Sequence, residues 1–183
     1  EAWTYYLEGL FFFARGEFDE ASHSFQRAVE MRYVLHTRAA VDSFVGLALA
    51  HQALGQSEDA DVTRTQLLEF AAATGDAGYV TIAHSGLARL ALMQGNPTHA
   101  ASRLQQVDLT GDVGILFLWL EVPRITECRV LRAGPNPARI RAGLQKLEAL
   151  GDAGAAEHNT YQQIQIDVLR SVGYQRLGQH EQA

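Results

Sequence analysis

The side chains of this chain that could do chemistry are scattered carboxylates, arginines and histidines, together with a single thiol. The seven histidines form no HxxxH or HExxH pair, and one cysteine, Cys128, cannot build a zinc site. No Gly-x-Ser-x-Gly motif occurs, and Ser85-Gly86 follows no strand that could form a nucleophile elbow. The sequence therefore predicts no catalytic residue and no metal ligand, and we expect the chain not to be an enzyme.

The elements that must position these side chains are marked by glycines at a nearly constant interval. The steps between successive marks are 39, 40, 39 and 44 residues, and four of the five begin a Gly-x-x-x-x-Ala phrase. A period near 40 residues is typical of helical-repeat solenoids. Each mark predicts the end of one helix and the start of the next. The five marks are Gly16, Gly55, Gly95, Gly134 and Gly178.

Capping residues follow several of these glycines. Asn96, Asn136 and Ser57 are the predicted N-caps, because a short polar side chain can accept from the first free backbone N–H groups. Pro123 must either kink the helix around it or mark its true start near Leu120. The predicted helices are 2–15, 18–34, 38–54, 57–73, 78–94, 97–107, 113–133, 137–150 and 155–177.

These elements predict an all-α fold, a right-handed superhelix of about nine helices arranged as helix-turn-helix repeats. The repeats span about 1–36, 37–76, 77–112, 113–151 and 152–183, and together they form one domain. Small residues at Gly9, Ala48 and Ala88 precede a mark by seven residues each, where helices can approach closely. Both ends of the chain enter or leave a helical pattern abruptly, which indicates a fragment of a larger protein.

The bulk composition argues against several classes of function. The 183 residues carry a net charge of −6 and no basic stripe, so this segment is not expected to bind nucleic acid directly. The longest apolar runs fall far short of the roughly 20 residues that cross a bilayer. A lone cysteine fits the reducing cytoplasm.

Several stretches carry a family resemblance. Residues 46–55 with 67–71, together with 117–124 and 147–150, resemble the tetratricopeptide-type repeats of MalT-like LuxR-family transcriptional regulators. The resemblance implies a sensor module that binds an inducer or a regulatory protein in its concave groove and controls self-association of the parent. It also implies contacts with other domains of the parent. No GxxxxGK[ST] loop occurs here, so ATP is expected only in a separate NTPase domain, and this segment needs no cofactor.

The register of the glycine marks predicts which side chains face the groove. Arg89 and Arg124 could each donate two hydrogen bonds to a carboxylate, a phosphate or sugar hydroxyls. Acidic and amide groups could accept from hydroxyls or amines, and Trp119 or Tyr161 could stack on a sugar or base. The predicted groove residues are Tyr6, Asp42, Gln52, Ser85, Arg89, Trp119, Glu121, Arg124 and Gln165.

Two alternatives remain open at the level of sequence. Glu121 and Arg124, three residues apart on a helix, could simply pair with each other in solvent. The whole module could also be a generic protein–protein interaction scaffold without a small-molecule ligand, its groove taking an extended peptide or a partner helix.

Overall fold

The chain folds as a stack of helical hairpins. The computed structural model describes residues 1–109, 118–156 and 159–179, and within these ranges it contains nine α-helices and no strand. The fold class predicted from the sequence is confirmed. The helices are α1 Ala2–Arg15, α2 Phe18–Glu30, α3 Thr37–Ala53, α4 Ser57–Ala73, α5 Ala77–Met93, α6 Pro97–Leu104, α7 Pro123–Ala133, α8 Pro137–Ala156 and α9 Thr160–Arg176.

Glycines end most of these helices as the spacing predicts. Gly16, Gly55, Gly95 and Gly178 adopt positive φ angles of 77°, 76°, 73° and 72°, a conformation that glycine reaches without steric cost. The fifth mark differs, because Gly134 follows α7 with φ −83° and ψ 170°, which is extended backbone.

The N-caps confirm two predictions and correct a third. Asn96 accepts from the backbone N–H of His99 at 3.0 Å, and Asn136 accepts from that of Ala138 at 2.9 Å. Ser57 is wrong as a cap, because it is the first helical residue of α4 and the preceding Gln56 makes no side-chain cap. The prediction failed because Ser57 lies one residue too far along the chain.

Seven of the nine predicted helices have different bounds. Two are shifted by one residue, those predicted over 18–34 and 97–107 end early at Glu30 and Leu104, and the last three differ more. The helix predicted over 113–133 begins only at Pro123, and residues 118–122 are not helical, while 113–117 lie outside the described residues. Proline disfavours helical backbone in the residue before it, and Val122 is accordingly extended. The helix predicted to end at 150 continues to Ala156, and the last begins at Thr160 because Asn159 caps it.

The stack curves with its odd-numbered helices on the inside. Each odd-numbered helix lies against the next odd-numbered one, whereas in the described part of the chain no even-numbered helix reaches the next even-numbered one. Elements that are closer together form the shorter, inner side of a curved stack. We call the surface formed by α1, α3, α5 and α7 the inner face.

Phe25 locks the first three helices together. Its ring, fully buried on α2, fills notches left by Gly9 on α1 and Gly46 on α3. A Cβ atom added at Gly9 would lie 2.6 Å from that ring, and one added at Gly46 would lie 2.5 Å from it. Both distances are shorter than Cβ atoms show in real proteins. The predicted close approach at Gly9 is therefore present.

Candidate functional site

The inner face holds a piece of the chain itself. Residues 118–122, which we call the inner segment, run without helical structure between α6 and α7 and lie against α1, α3 and α5. Leu120 and Glu121 at its centre are almost completely buried. The segment therefore occupies part of the surface that the sequence predicts as a groove.

Asp42 of α3 organises the contact with the inner segment. One carboxylate oxygen accepts from the Leu120 backbone N–H at 2.7 Å, and the other accepts from that of Glu121 at 3.0 Å. The Tyr6 hydroxyl lies 2.7 Å from the first oxygen, and the Arg38 guanidinium lies 3.8 Å from the second. A single buried carboxylate thus satisfies two consecutive backbone donors.

The backbone carbonyls of the inner segment are held by cations. Arg38 donates to the Glu121 carbonyl, and Arg89 donates to the Leu120 carbonyl at 3.1 Å. With Asp42 on the two N–H groups, all four backbone polar groups of residues 120 and 121 have side-chain partners from α3 and α5. A buried backbone needs such partners, and here no secondary structure supplies them.

The Glu121 side chain is bound as closely as its backbone. One carboxylate oxygen accepts from the Ser85 hydroxyl at 2.6 Å and from the Thr126 hydroxyl at 2.5 Å. Arg89 lies 3.5 Å from the other oxygen. The ion pair with Arg124 that the sequence allowed is not formed: Glu121 is fully buried, whereas Arg124 lies on an exposed position of α7.

Burial shifts the ionisation of this cluster. Removal from water raises the pKa of the Asp42 carboxyl, against the opposing effects of Arg38 and of the hydrogen bond from Tyr6. Burial, reinforced by Asp42, raises the pKa of the Tyr6 phenol. The Tyr6 hydroxyl therefore stays protonated and has its single proton to share between Asp42 and the Leu118 carbonyl, 3.0 Å away.

Trp119, one of the two aromatic residues predicted to stack on a ligand, stacks within the protein. The Trp119 ring lies under the Arg38 guanidinium, 4.8 Å from ring centre to guanidinium carbon, and its centre is 6.1 Å from that of Tyr6. Arg38 is thereby fixed between the ring and the Glu121 carbonyl, an arrangement that suits a planar guanidinium.

The fold brings six of the nine predicted groove residues together and leaves three apart. Gln52 pairs with Gln94 at 3.0 Å on an exposed surface, Arg124 is exposed, and Gln165 accepts from Arg129 at 2.7 Å beside the cluster. The six that meet around the inner segment are Tyr6, Asp42, Ser85, Arg89, Trp119 and Glu121.

The sequence analysis missed three participants. Arg38 could have been found from its position four residues before Asp42 on one helix face. Thr126 and Arg129 follow Glu121 by five and eight residues, but Pro123 separates them from it, so helical spacing gave no signal.

Neither the cysteine nor the clustering of potential metal ligands indicates catalytic or metal chemistry. The Cys128 thiol is buried, and burial with the nearby Glu127 raises its pKa to about 12, so it is a poor nucleophile. Among the residues that the structure describes, no group of three or more His, Cys, Asp or Glu side chains could hold a metal ion. Likewise, no helix in the described ranges has the length and apolar character to span a bilayer.

Comparison with known proteins identifies solved structures with a similar fold. No protein-family model and no curated protein matches this sequence. Two crystal structures do match: a kinesin light chain-like protein of Podosopora anserina with nearly identical TPR-like repeats, and a single-substitution variant of it. They are 17% and 16% identical, each with a TM-score of 0.51, covering 97% of this chain and 87% of theirs. The chain is thus an all-α protein with a TPR-like repeat fold.

Proposed function

We propose that this chain is a protein–protein interaction module whose inner face recognises an extended peptide segment with an acidic side chain. The observation that carries the proposal is the way residues 120 and 121 are held, with every backbone polar group bonded to a side chain of the stack. Main-chain bonds of this kind provide affinity for extended peptides in general, and pockets for side chains provide specificity.

The inner segment supplies a template for the partner. Its glutamate enters a site formed by Ser85, Thr126 and Arg89, and its preceding leucine joins the main apolar cluster. A partner with Leu-Glu in an extended segment would match both features. Nothing in this arrangement requires catalysis, and we expect the chain to be non-enzymatic.

The tethered segment must compete with any such partner. A segment joined to its site by a short linker has an effective concentration on the order of millimolar. An external peptide of equal intrinsic affinity therefore binds weakly until the internal contacts are loosened. This competition provides a direct test.

The test uses a fluorescein-labelled peptide with the sequence Leu-Trp-Leu-Glu-Val-Pro, that of residues 118–123. Glu121→Ala removes the carboxylate of the inner segment but leaves Ser85, Thr126 and Arg89 in place to bind the peptide. Fluorescence anisotropy is expected to show binding at least tenfold tighter to this variant than to the wild type. Arg124→Ala, at a neighbouring exposed position, should behave as the wild type.

The outcome distinguishes recognition from internal packing. If the peptide binds neither protein while circular dichroism shows both folded, the inner face is only a buried core and the proposal is wrong. A peptide with Ala in place of Glu should also bind the variant several-fold more weakly, since it lacks the group that Arg89 faces.

A second candidate is the sensor module of a MalT-like LuxR-family regulator, which would bind an inducer or regulatory protein and control self-association of its parent. It is supported by the resemblance of residues 46–55 and 117–124, whose members Leu49 and Leu120 belong to one apolar cluster. ATP would then bind a separate NTPase domain of the parent, and the module would act in the cytoplasm.

Two exposed apolar stripes support the self-association part of this candidate. Each stripe has large apolar side chains at intervals of four residues, one on α1 and one on α9, and each is 38% or more exposed. Sedimentation velocity is expected to show concentration-dependent association that Leu7→Lys abolishes; a monomer at all concentrations would count against it. The stripes are Trp3, Leu7 and Phe11, and Ile164, Val168 and Val172.

A further inference from the structure

A cavity lies where α5, α7 and α9 end, next to the inner-segment cluster, and the two share Arg129. It is a cleft of about 490 Å³. This volume falls within the roughly 300–1,000 Å³ of small-molecule sites. Leu92, Leu169 and Val172 form apolar parts of its wall, and three arginines form the rest: Arg129, Arg132 and Arg176. We call it the arginine cleft.

The three guanidinium groups use only part of their hydrogen-bonding capacity within the protein. Arg132 donates to the Leu169 carbonyl at 2.9 Å, and Arg176 donates to the Arg132 and Ala133 carbonyls at the end of α7. Arg129 donates to the Thr126 hydroxyl at 3.1 Å and to the Gln165 side chain at 2.7 Å. Each group has five N–H donors, and these five hydrogen bonds engage only a third of the fifteen.

The positive charge of the arginine cleft has no close counter-ion among the residues that the structure describes. Within residues 1–109, 118–156 and 159–179, no carboxylate lies within 4.0 Å of Arg129, Arg132 or Arg176. Glu121, which is attracted to Arg129, is already held by Ser85, Thr126 and Arg89.

The surroundings make this concentration of cations costly. Burial, followed by repulsion from Arg89, lowers the pKa of Arg129 to about 9. Burial, followed by repulsion from Arg176, lowers the pKa of Arg132. Arg129 and Arg132 are half-buried and Arg176 is exposed. Cations that repel one another in such surroundings are stabilised when an anion binds between them.

We propose that the arginine cleft binds a small organic phosphate, with the phosphate held by Arg129, Arg132 and Arg176 and its organic part against Leu92, Leu169 and Val172. A phosphate monoester carries close to two negative charges and three acceptor oxygens, which matches three guanidinium forks better than a single carboxylate does. The cleft is larger than inorganic phosphate needs, and its apolar wall favours an organic substituent. The proposal does not depend on peptide binding at the inner face.

Isothermal titration calorimetry with three probes tests the chemistry. Phenyl phosphate combines the anion with an apolar ring, inorganic phosphate lacks the ring, and benzoate replaces the phosphate by a carboxylate. Phenyl phosphate is expected to bind at least tenfold tighter than either of the others, and binding should weaken as salt rises. Equal binding of all three probes, or none, overturns the proposal.

Substitutions locate the site. Arg132→Gln and Arg176→Gln should each weaken phenyl phosphate binding about tenfold. Arg170→Gln is the matched control, because Arg170 lies on the same helix as Arg176 but pairs with Asp167 at 3.6 Å and does not line the cleft. Unchanged binding in the first two variants, or an equal loss in the control, would show that these arginines only bond helix carbonyls and would contradict the proposal.

One further variant guards against loss of folding. Val172→Glu places a carboxylate at a partly exposed position in the wall of the cleft, where it can pair with the arginines. It should raise the melting temperature slightly while abolishing phenyl phosphate binding. A folded Val172→Glu protein that still binds the probe as the wild type does would place the anion elsewhere and contradict the proposal.

Discussion

The two halves of the stack are held together by different means. From α1 to α5, buried apolar side chains form one continuous cluster, and in α3 every residue from Arg38 to Ala50 is buried. From α6 to α9 the apolar clusters are smaller, and the half-buried Arg132 and the exposed Arg176 bond to carbonyls of neighbouring helices. The first half is an interlocked apolar core, whereas in the second half arginine–carbonyl hydrogen bonds add to smaller apolar clusters.

The inner segment joins these halves. Its contacts reach back to Tyr6 and Asp42 in the first two odd-numbered helices, and forward through Thr126 into α7. Leu120 belongs to the apolar cluster of the first half, and Val122 to a cluster of the second. Loosening this segment therefore weakens the connection between an interlocked and a polar region, which is where a binding event could have the largest structural effect.

The largest expected loss of stability comes from a substitution in the interlocked half, α1 to α5. Phe25→Ala empties the space between Gly9 and Gly46, and we expect it to lower the free energy of unfolding by about 3–5 kcal/mol. Leu104→Ala, in a smaller cluster of the second half and already 8% exposed, should cost only about 2 kcal/mol. Urea unfolding followed by circular dichroism measures both.

The comparison would fail if the order were reversed. A larger loss for Leu104→Ala than for Phe25→Ala would mean that the smaller cluster carries more of the stability than its burial indicates. Phe11→Ala serves as the control, because Phe11 is an aromatic residue of the first half that is 56% exposed and should change stability by no more than about 0.5 kcal/mol.

Adding a methyl group at a glycine tests the same difference between the two halves, with a smaller expected change in stability. Gly46→Ala places a methyl group 2.5 Å from the Phe25 ring, so it should destabilise by about 1–3 kcal/mol. Gly143→Ala in the second half meets its nearest neighbours only at 3.4 Å, and gains helix propensity worth roughly 0.5–1 kcal/mol. It should be neutral or stabilising in the same urea assay.

A double variant decides whether the cost is steric. If Gly46→Ala clashes with the ring, combining it with Phe25→Leu should recover part of the loss, because the smaller side chain leaves room. Additive losses in the double variant would contradict the interlocking described for these helices.

The sequence predicted the helices where local signals decide their ends. Glycines at positive φ, Asn96 and Asn136 act within a few residues of the chain, so spacing and residue type were sufficient. Gly134 was a mark without the left-handed conformation, and Gly75, which has φ 69° at the end of α4, fell outside the repeating phrase. A period identifies a repeat better than it identifies every helix end.

For the candidate site, too, the sequence carried local information but not the contacts between distant parts of the chain. The glycine register placed Tyr6, Asp42 and Ser85 on successive inner helices, where the structure has them contact the inner segment or its Glu121. It could not predict that the chain's own residues 118–122 meet them, because those contacts join positions 78, 79 and 112 residues apart. An apolar stretch that reads as helix can be extended when tertiary contacts satisfy its backbone, and only Pro123 gave a local sign of this.

The smallest expected effect concerns the boundary between the halves, where His84 of α5 faces Arg103 of α6. Burial, followed by the positive charge of Arg103, lowers the pKa of His84, and its buried Nδ1 has no hydrogen-bond partner within the described residues. As pH falls below about 6.5, the unfolded state therefore binds a proton before the folded state does, and stability decreases. His84→Gln should reduce the fall in melting temperature between pH 7 and pH 5, whereas His23→Gln, at an exposed position of α2, should leave it unchanged. An unaltered pH dependence in His84→Gln would mean that the contact between α5 and α6 admits a charged imidazole, and that the boundary is as tolerant of buried cations as the arginine cleft beyond it.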